Sequence, residues 1–211
     1  MDAKIWGGLF ATNPNLSREE RWQEFKSRFT DQLLQTFVGF SVAQAYNTFG
    51  IKGGVENVWY KDGATVLQTR EEWTAVTLSN YIIGGNSIRP DVKNKLFQHE
   101  YGHYLQSQEM GAAYLFVVGI PSIVAPNENQ NDIAVEQDAN IRALAYFLEY
   151  YPDEFIEEGK YTGGWDFKYN GINAFDSYDY HTENNQSVLA LPPIQPYTDP
   201  ETSKRYYQIV F

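Results

Sequence analysis

Between Gly53 and Ser79 the chain changes period, and that change constrains its fold more than any other feature. Val55, Val58, Trp59, Val66, Leu67, Trp73, Val76 and Leu78 are β-branched, aromatic or large apolar residues, and Lys61-Asp62-Gly63 forms a turn signal between two of the runs. On both sides the apolar residues instead recur at helical intervals. Upstream, Ser17 and Glu20 have capping-box spacing, and Trp22, Phe25, Phe29, Leu33, Phe37 and Phe40 follow at steps of three and four, predicting a long N-terminal helical region to about Ala45. Downstream, a strand is expected near Ser79–Ile83, before Gly84-Gly85. Pro90-Asp91 then opens a helix that runs to Glu109 and stops at Gly111. A third helical pattern extends from Asn131-Asp132 to Tyr151-Pro152. A short β region set between helices reads as an α+β fold, with a small antiparallel or mixed sheet packed on a helix. The 211 residues suit a single domain: a helical N-terminal region over 1–50, the sheet and two helices over 51–151, and a loop-rich C-terminal region over 152–211.

Composition narrows the chemistry. The chain has no cysteine, which excludes disulfides, thiolate metal sites and cysteine nucleophiles together. It has 27 acidic against 16 basic residues and a net charge of −11, the wrong sign for neutralising phosphates, so no nucleic-acid partner is expected. The longest apolar run, Gly111 to Ala125, contains Gly119 and Pro121 and is shorter than the roughly 20 residues a bilayer span needs. It is expected to be buried core, and no transmembrane segment is predicted. The N-terminal MDAKIWGGLFATNPNLS lacks the apolar stretch of a secretory signal, so the chain reads as soluble without a signal peptide.

Two of the three histidines stand in His99-Glu100-Tyr101-Gly102-His103, an H-E-x-x-H pattern inside the second helical segment. Residues four apart share a helix face, so both imidazoles can address one metal ion, while Glu100 is rotated away from that face and can address a water on it. Val92 and Leu96 lie on the same face and turn it toward the core. Gly102 inside the helix is unfavourable by roughly 1 kcal/mol relative to alanine, which points to close approach of another element.

A catalytic zinc needs a third protein ligand and an open position. The extension that continues this motif in the metzincins would place Gly at 106 and His at 109. Gln106 and Glu109 stand there instead, and Glu109 is on the wrong side of a straight helix. In the next helical pattern Ile133, Ala143, Leu144 and Phe147 define a buried stripe that contains Glu136 and Asn140 but not Asp138. A core-facing carboxylate requires a partner, which makes Glu136 the third-ligand candidate. Asn140, one turn on, is a candidate for orienting a ligand by a hydrogen bond.

HEYGH on one helix followed by Glu136 on the next resembles the gluzincin group of zinc metallopeptidases. The resemblance implies a zincin-like fold, Zn2+ held by His99, His103 and Glu136, and Glu100 as general base. Asn140 stands where thermolysin-like enzymes carry an aspartate, and the gap from His103 to Glu136 is longer than theirs. The wider stretch IIGGNSIRPDVKNKLFQHEYGHYLQSQ, with YLFVVGIPS and VEQDAN, is similar to bacterial metallopeptidase domains found at the ends of larger secreted or toxin-like proteins. That likeness implies export as part of a larger protein.

The expected function is hydrolysis of peptide bonds by a zinc-activated water with Glu100 as general base, acting on a peptide or protein substrate. The strand near Ser79–Ile83 is expected to pair with an extended peptide. His181, with Tyr178 and Tyr180 beside it, is the candidate for stabilising the oxyanion. Two other readings use the same residues: a catalytically inactive metal-binding module, and a zinc hydrolase of a non-peptide amide.

Overall fold

A computed structural model describes residues 1–119 and 134–157, together with the strand segments 160–161, 168–169, 172–173, 194–198 and 205–209. The architecture is α+β, with a four-stranded mixed sheet and helices on both its faces.

The N-terminal 50 residues form three helices, α1 (Asp2–Gly7), α2 (Arg18–Ser27) and α3 (Leu33–Phe49). The capping box is made as its spacing predicts: Ser17 Oγ accepts from the Glu20 N–H at 3.3 Å, and the Ser17 N–H donates to Glu20 Oε2 at 2.9 Å. The expected continuous helical stretch is interrupted between Ser27 and Leu33, where Arg28 is fully buried and Gln32 N–H turns back to the Ser27 carbonyl at 2.8 Å. α3 then continues to Phe49 and is closed by Gly50 in the left-handed conformation.

The orientation of these helices departs from their apolar stripe. Trp22, Phe29, Leu33 and Phe37 are exposed, whereas Glu24, Arg28, Gln32, Gln35 and Thr36 are buried. Long-range hydrogen bonds decide the inward face. Arg28 bonds Glu24 Oε1 at 2.8 Å and the Gly63 carbonyl at 3.1 Å, and Gln35 donates to the Gly111 carbonyl at 2.9 Å. At Gly39 a Cβ would overlap the Leu78 carbonyl, so α3 rests on the sheet through its smallest residue.

The sheet comprises β1 (Val55–Lys61), β2 (Ala64–Thr69), β3 (Ala75–Leu78) and β4 (Tyr81–Gly84), in the order β1-β2-β4-β3. β1 and β2 are antiparallel and joined through Asp62 and Gly63, both at positive φ (48° and 85°), the geometry a two-residue hairpin favours. β2 and β4 are parallel, and β4 and β3 antiparallel. The strand expected near Ser79–Ile83 is thus β4, an interior strand with both edges paired, and it has no edge to offer a peptide. The reason is the tight turn at Ser79 (φ 55°), which folds β3 back beyond β4 and makes β3 the outer strand.

Alternation along β2 and β4 separates two cores. Val66 and Ile82 face a cluster with Phe97, Tyr101, Tyr104, Leu144, Tyr146 and Phe147. Leu67, Tyr81 and Ile83 face the other way, onto Ile5 and Ala43 of α1 and α3. The first cluster joins the sheet to α4 (Lys95–Met110) and α5 (Ala134–Tyr150). α4 starts five residues after the expected Pro90, because Asn94 is the side chain that caps it, Oδ1 accepting from the Phe97 N–H at 2.9 Å. Gly111, at φ 55°, ends it.

In the described part of the apolar run after Gly111, Tyr114 and Val118 are buried, but Phe116 and Val117 are exposed on a π-helical turn (Leu115–Gly119), so the run is not uniformly core. Beyond α5 come a short helix, α6 (Pro152–Phe155), and three two-stranded antiparallel ladders, pairing Ile156–Glu157 with Lys160–Tyr161, Lys168–Tyr169 with Ile172–Asn173, and Ile194–Thr198 with Arg205–Ile209. Composition points to a mostly loop region there. Among the described residues no helix is long and apolar enough to cross a membrane.

Candidate metal centre

α4 and α5 cross at Gly102. A Cβ on this residue would overlap the Ala139 carbonyl and come within 3.0 Å of Ala139 Cα, so only glycine permits this approach. The motif's other central residue, Tyr101, is fully buried, and its hydroxyl donates to the Asp62 carbonyl at 2.9 Å, tying the helix to the β1–β2 turn. Sheet and α5 together therefore hold the motif helix in position and rotation.

His99 and His103, one turn apart, present rings with centroids 4.8 Å apart. Glu136, in the first turn of α5, places Oε2 at 2.9 Å from His103 Nε2 and 3.1 Å from His99 Nε2. Ligand-type atoms of these three residues lie within 4.8 Å of one another, the group among the described residues whose donors converge as a metal ion requires. His103 and Glu136 are buried, while the His99 side chain keeps 27% of its surface, so the cluster is open on the His99 side.

The outer nitrogens are held as well. His99 Nδ1 lies 3.0 Å from Asn140 Oδ1, and His103 Nδ1 lies 2.9 Å from Gln106 Oε1. An amide oxygen only accepts, so Nδ1–H is the donor in both rings, and in a neutral ring the Nε2 lone pair is then directed at Glu136. The amide of Gln106 is itself fixed, because its NH2 donates to the Val135 carbonyl at 2.8 Å and to Asp138 Oδ2 at 2.7 Å. Arg142 completes the set by donating to Asp138 and Glu109. Asp138 and Glu109 thus brace α4 against α5 and do not join the three converging groups.

The donor set fits a divalent cation. Two inward imidazole lone pairs facing a carboxylate oxygen repel one another unless a positive charge sits among them. In the ion-free chain a proton takes that role. Burial opposes a charge on His99, but the Glu136 hydrogen bond, the Glu100 charge and the Asn140 contact outweigh it and push the His99 pKa up to about 9. Two imidazoles and one carboxylate, with no thiolate, are a ligand set found in zinc sites that keep an open position.

Glu100 is 5% exposed and does not join the converging trio. It turns toward β3, where Thr77 Oγ1 lies 2.6 Å from its Oε2 and 3.0 Å from its own carbonyl. Tyr114 closes the same corner: its hydroxyl donates to the Thr77 carbonyl at 3.3 Å, and burial, reinforced by the charges of Glu100 and Glu136, holds its phenol well above the ordinary range. Gln106, Thr77 and Tyr114 are absent from the sequence-based candidates. Gln106 had a usable signal, three residues after His103 on one helix face, whereas Thr77 and Tyr114 reach the site only through tertiary packing. His181, Tyr178 and Tyr180 lie outside the described residues. No protein-family model, curated protein or solved structure matches the chain.

Proposed function

We propose that this chain is a zinc-dependent metallopeptidase with a zincin-like fold. One observation carries the reading: the Nε2 atoms of His99 and His103 and Oε2 of Glu136 converge from two helices, while the intervening Glu100 keeps a separate, buried carboxylate whose charge acts on His99. His99, His103 and Glu136 would hold the metal. When bound, zinc lowers the pKa of its water toward about 7 and polarises a carbonyl. Glu100 accepts the proton of the attacking water and returns it to the departing amine. Asn140 and Gln106 keep the two imidazoles in the tautomer and rotation that ligation needs.

An extended peptide suits the outer strand. Among the described residues β3 pairs with β4 on one side only; Ala75 and Val76 are half-buried, whereas Thr77 is buried and its carbonyl is taken by the Tyr114 hydroxyl, so strand addition is proposed for the Ala75–Val76 end of β3. An inactive metal-binding module is less well supported, because burying the Glu100 carboxylate is unfavourable and a purely structural site gains nothing from it. Digestion of a mixed peptide library by zinc-loaded protein, with and without chelator, tests the proposal, with Glu100→Gln as control. Chelator-sensitive cleavage that is lost in Glu100→Gln is expected. Cleavage of simple amides with no cleavage of any peptide would move the function to non-peptide amides, and cleavage that survives chelation would end the metal assignment.

A further inference from the structure

We propose that Thr77 is a positioning residue for Glu100, a role that rests on the metallopeptidase reading and extends it to the outer strand of the sheet. The threonine hydroxyl has one proton and two acceptors on the same residue, the Glu100 carboxylate at 2.6 Å and the Glu100 carbonyl at 3.0 Å. The charged and closer acceptor takes it, since hydrogen bonds to a carboxylate are shorter and stronger than those to a neutral carbonyl. Oε2 of Glu100 is thereby anchored, and Oε1 becomes the oxygen that receives a proton.

The anchor is itself rigid. Thr77 is β-branched, 3% exposed and paired with Ile82 of β4, and its carbonyl accepts the Tyr114 hydroxyl. A glutamate side chain would otherwise sample many rotamers, and one hydrogen bond from a fixed strand selects among them.

Two variants separate positioning from packing. Thr77→Val keeps the volume and loses the hydroxyl, whereas Thr77→Ser keeps the hydroxyl and loses a methyl group. In the zinc-loaded protein, Thr77→Val is expected to lower kcat by about 10-fold or more, with KM and zinc affinity, read by chelator competition, within about twofold. Thr77→Ser should restore kcat to near wild type even though its melting temperature falls. The second readout needs no turnover: melting temperatures of Thr77→Val, Glu100→Ala and the double variant, all without metal, should be non-additive, the double variant losing clearly less than the two single losses together. Unchanged kcat in Thr77→Val, equal loss of kcat in Thr77→Ser, or additive melting temperatures would each overturn the proposal. Wild-type protein that cleaves no peptide would overturn the metallopeptidase reading instead, and the melting temperatures alone would then decide whether Thr77 holds Glu100.

Discussion

Gly102 of α4 lies directly beneath the Ala139 carbonyl of α5, and this contact sets the spacing at which Glu136 meets His103 across the two helices. Any side chain at 102 must push α5 away. Gly102→Ala is therefore expected to reduce both stability and metal binding, although alanine favours helix. Overpacking at such a site is destabilising by about 1–3 kcal/mol. Thermal melts and zinc stoichiometry on the purified variant check this, and a more stable variant with full zinc content would show that the crossing does not set the site.

The amides behind the two imidazoles should govern metal affinity. Removing an outer partner of a metal-bound histidine typically weakens binding about 10–100-fold. Gln106→Ala and Asn140→Ala are each expected to fall in that range by chelator competition. Asn140→Asp should tighten binding, because a carboxylate at 3.0 Å from His99 Nδ1 makes the ring a better donor than an amide does.

His99 gives the metal-free protein a defined pH response. Its pKa is raised from the ordinary histidine value of 6.5 to about 9 in the folded chain. The resulting stabilisation is fully present below pH 6.5 and is lost as pH rises through about 9. The melting temperature of metal-free protein should therefore fall across that window, and His99→Ala should flatten the fall. If the proposed zinc site is right, zinc uptake displaces the same proton, and apparent affinity should rise with pH up to about 9 and level off above it.

On the opposite flank of α4, Glu24 bonds Arg28 at 2.8 Å, accepts the Tyr104 hydroxyl at 2.6 Å and accepts the Asn13 N–H at 2.8 Å. Burial raises the Glu24 pKa despite these partners. Replacing Arg28 alone by methionine strands a buried carboxylate, and losses of about 3–5 kcal/mol accompany such broken pairs. Denaturant unfolding should show a loss of that order, and a change below about 1 kcal/mol would mean that Glu24 finds another partner or takes up a proton.

Local periodicity carried the parts of the site that lie on helices. His99 and His103 share a face by their spacing, Glu136 and Asn140 fall on the inward stripe of the following helix, and Gly102 marked a close approach before its partner was known. The β1–β2 turn was equally legible, since Asp62-Gly63 chemistry is local. Contacts between residues distant in sequence were not. The inward face of α2 and α3 is chosen by Arg28, Gln32 and Gln35 reaching Gly63, Gln108 and Gly111, so Trp22, Phe29, Leu33 and Phe37 of the apolar stripe are exposed while Phe40 still packs on the core. Strand order depended on the parallel pairing of β2 with β4, which no local pattern encodes, and Thr77 became visible only once β3 lay against α4.

The most direct test of the account is X-ray absorption at the zinc edge of zinc-loaded protein. Two imidazole nitrogens at about 2.0–2.1 Å and a carboxylate oxygen at about 2.0–2.2 Å are expected. One imidazole should disappear in His103→Ala, and the carboxylate in Glu136→Ala. A zinc spectrum with fewer than two imidazoles, or one unchanged by either substitution, would contradict it.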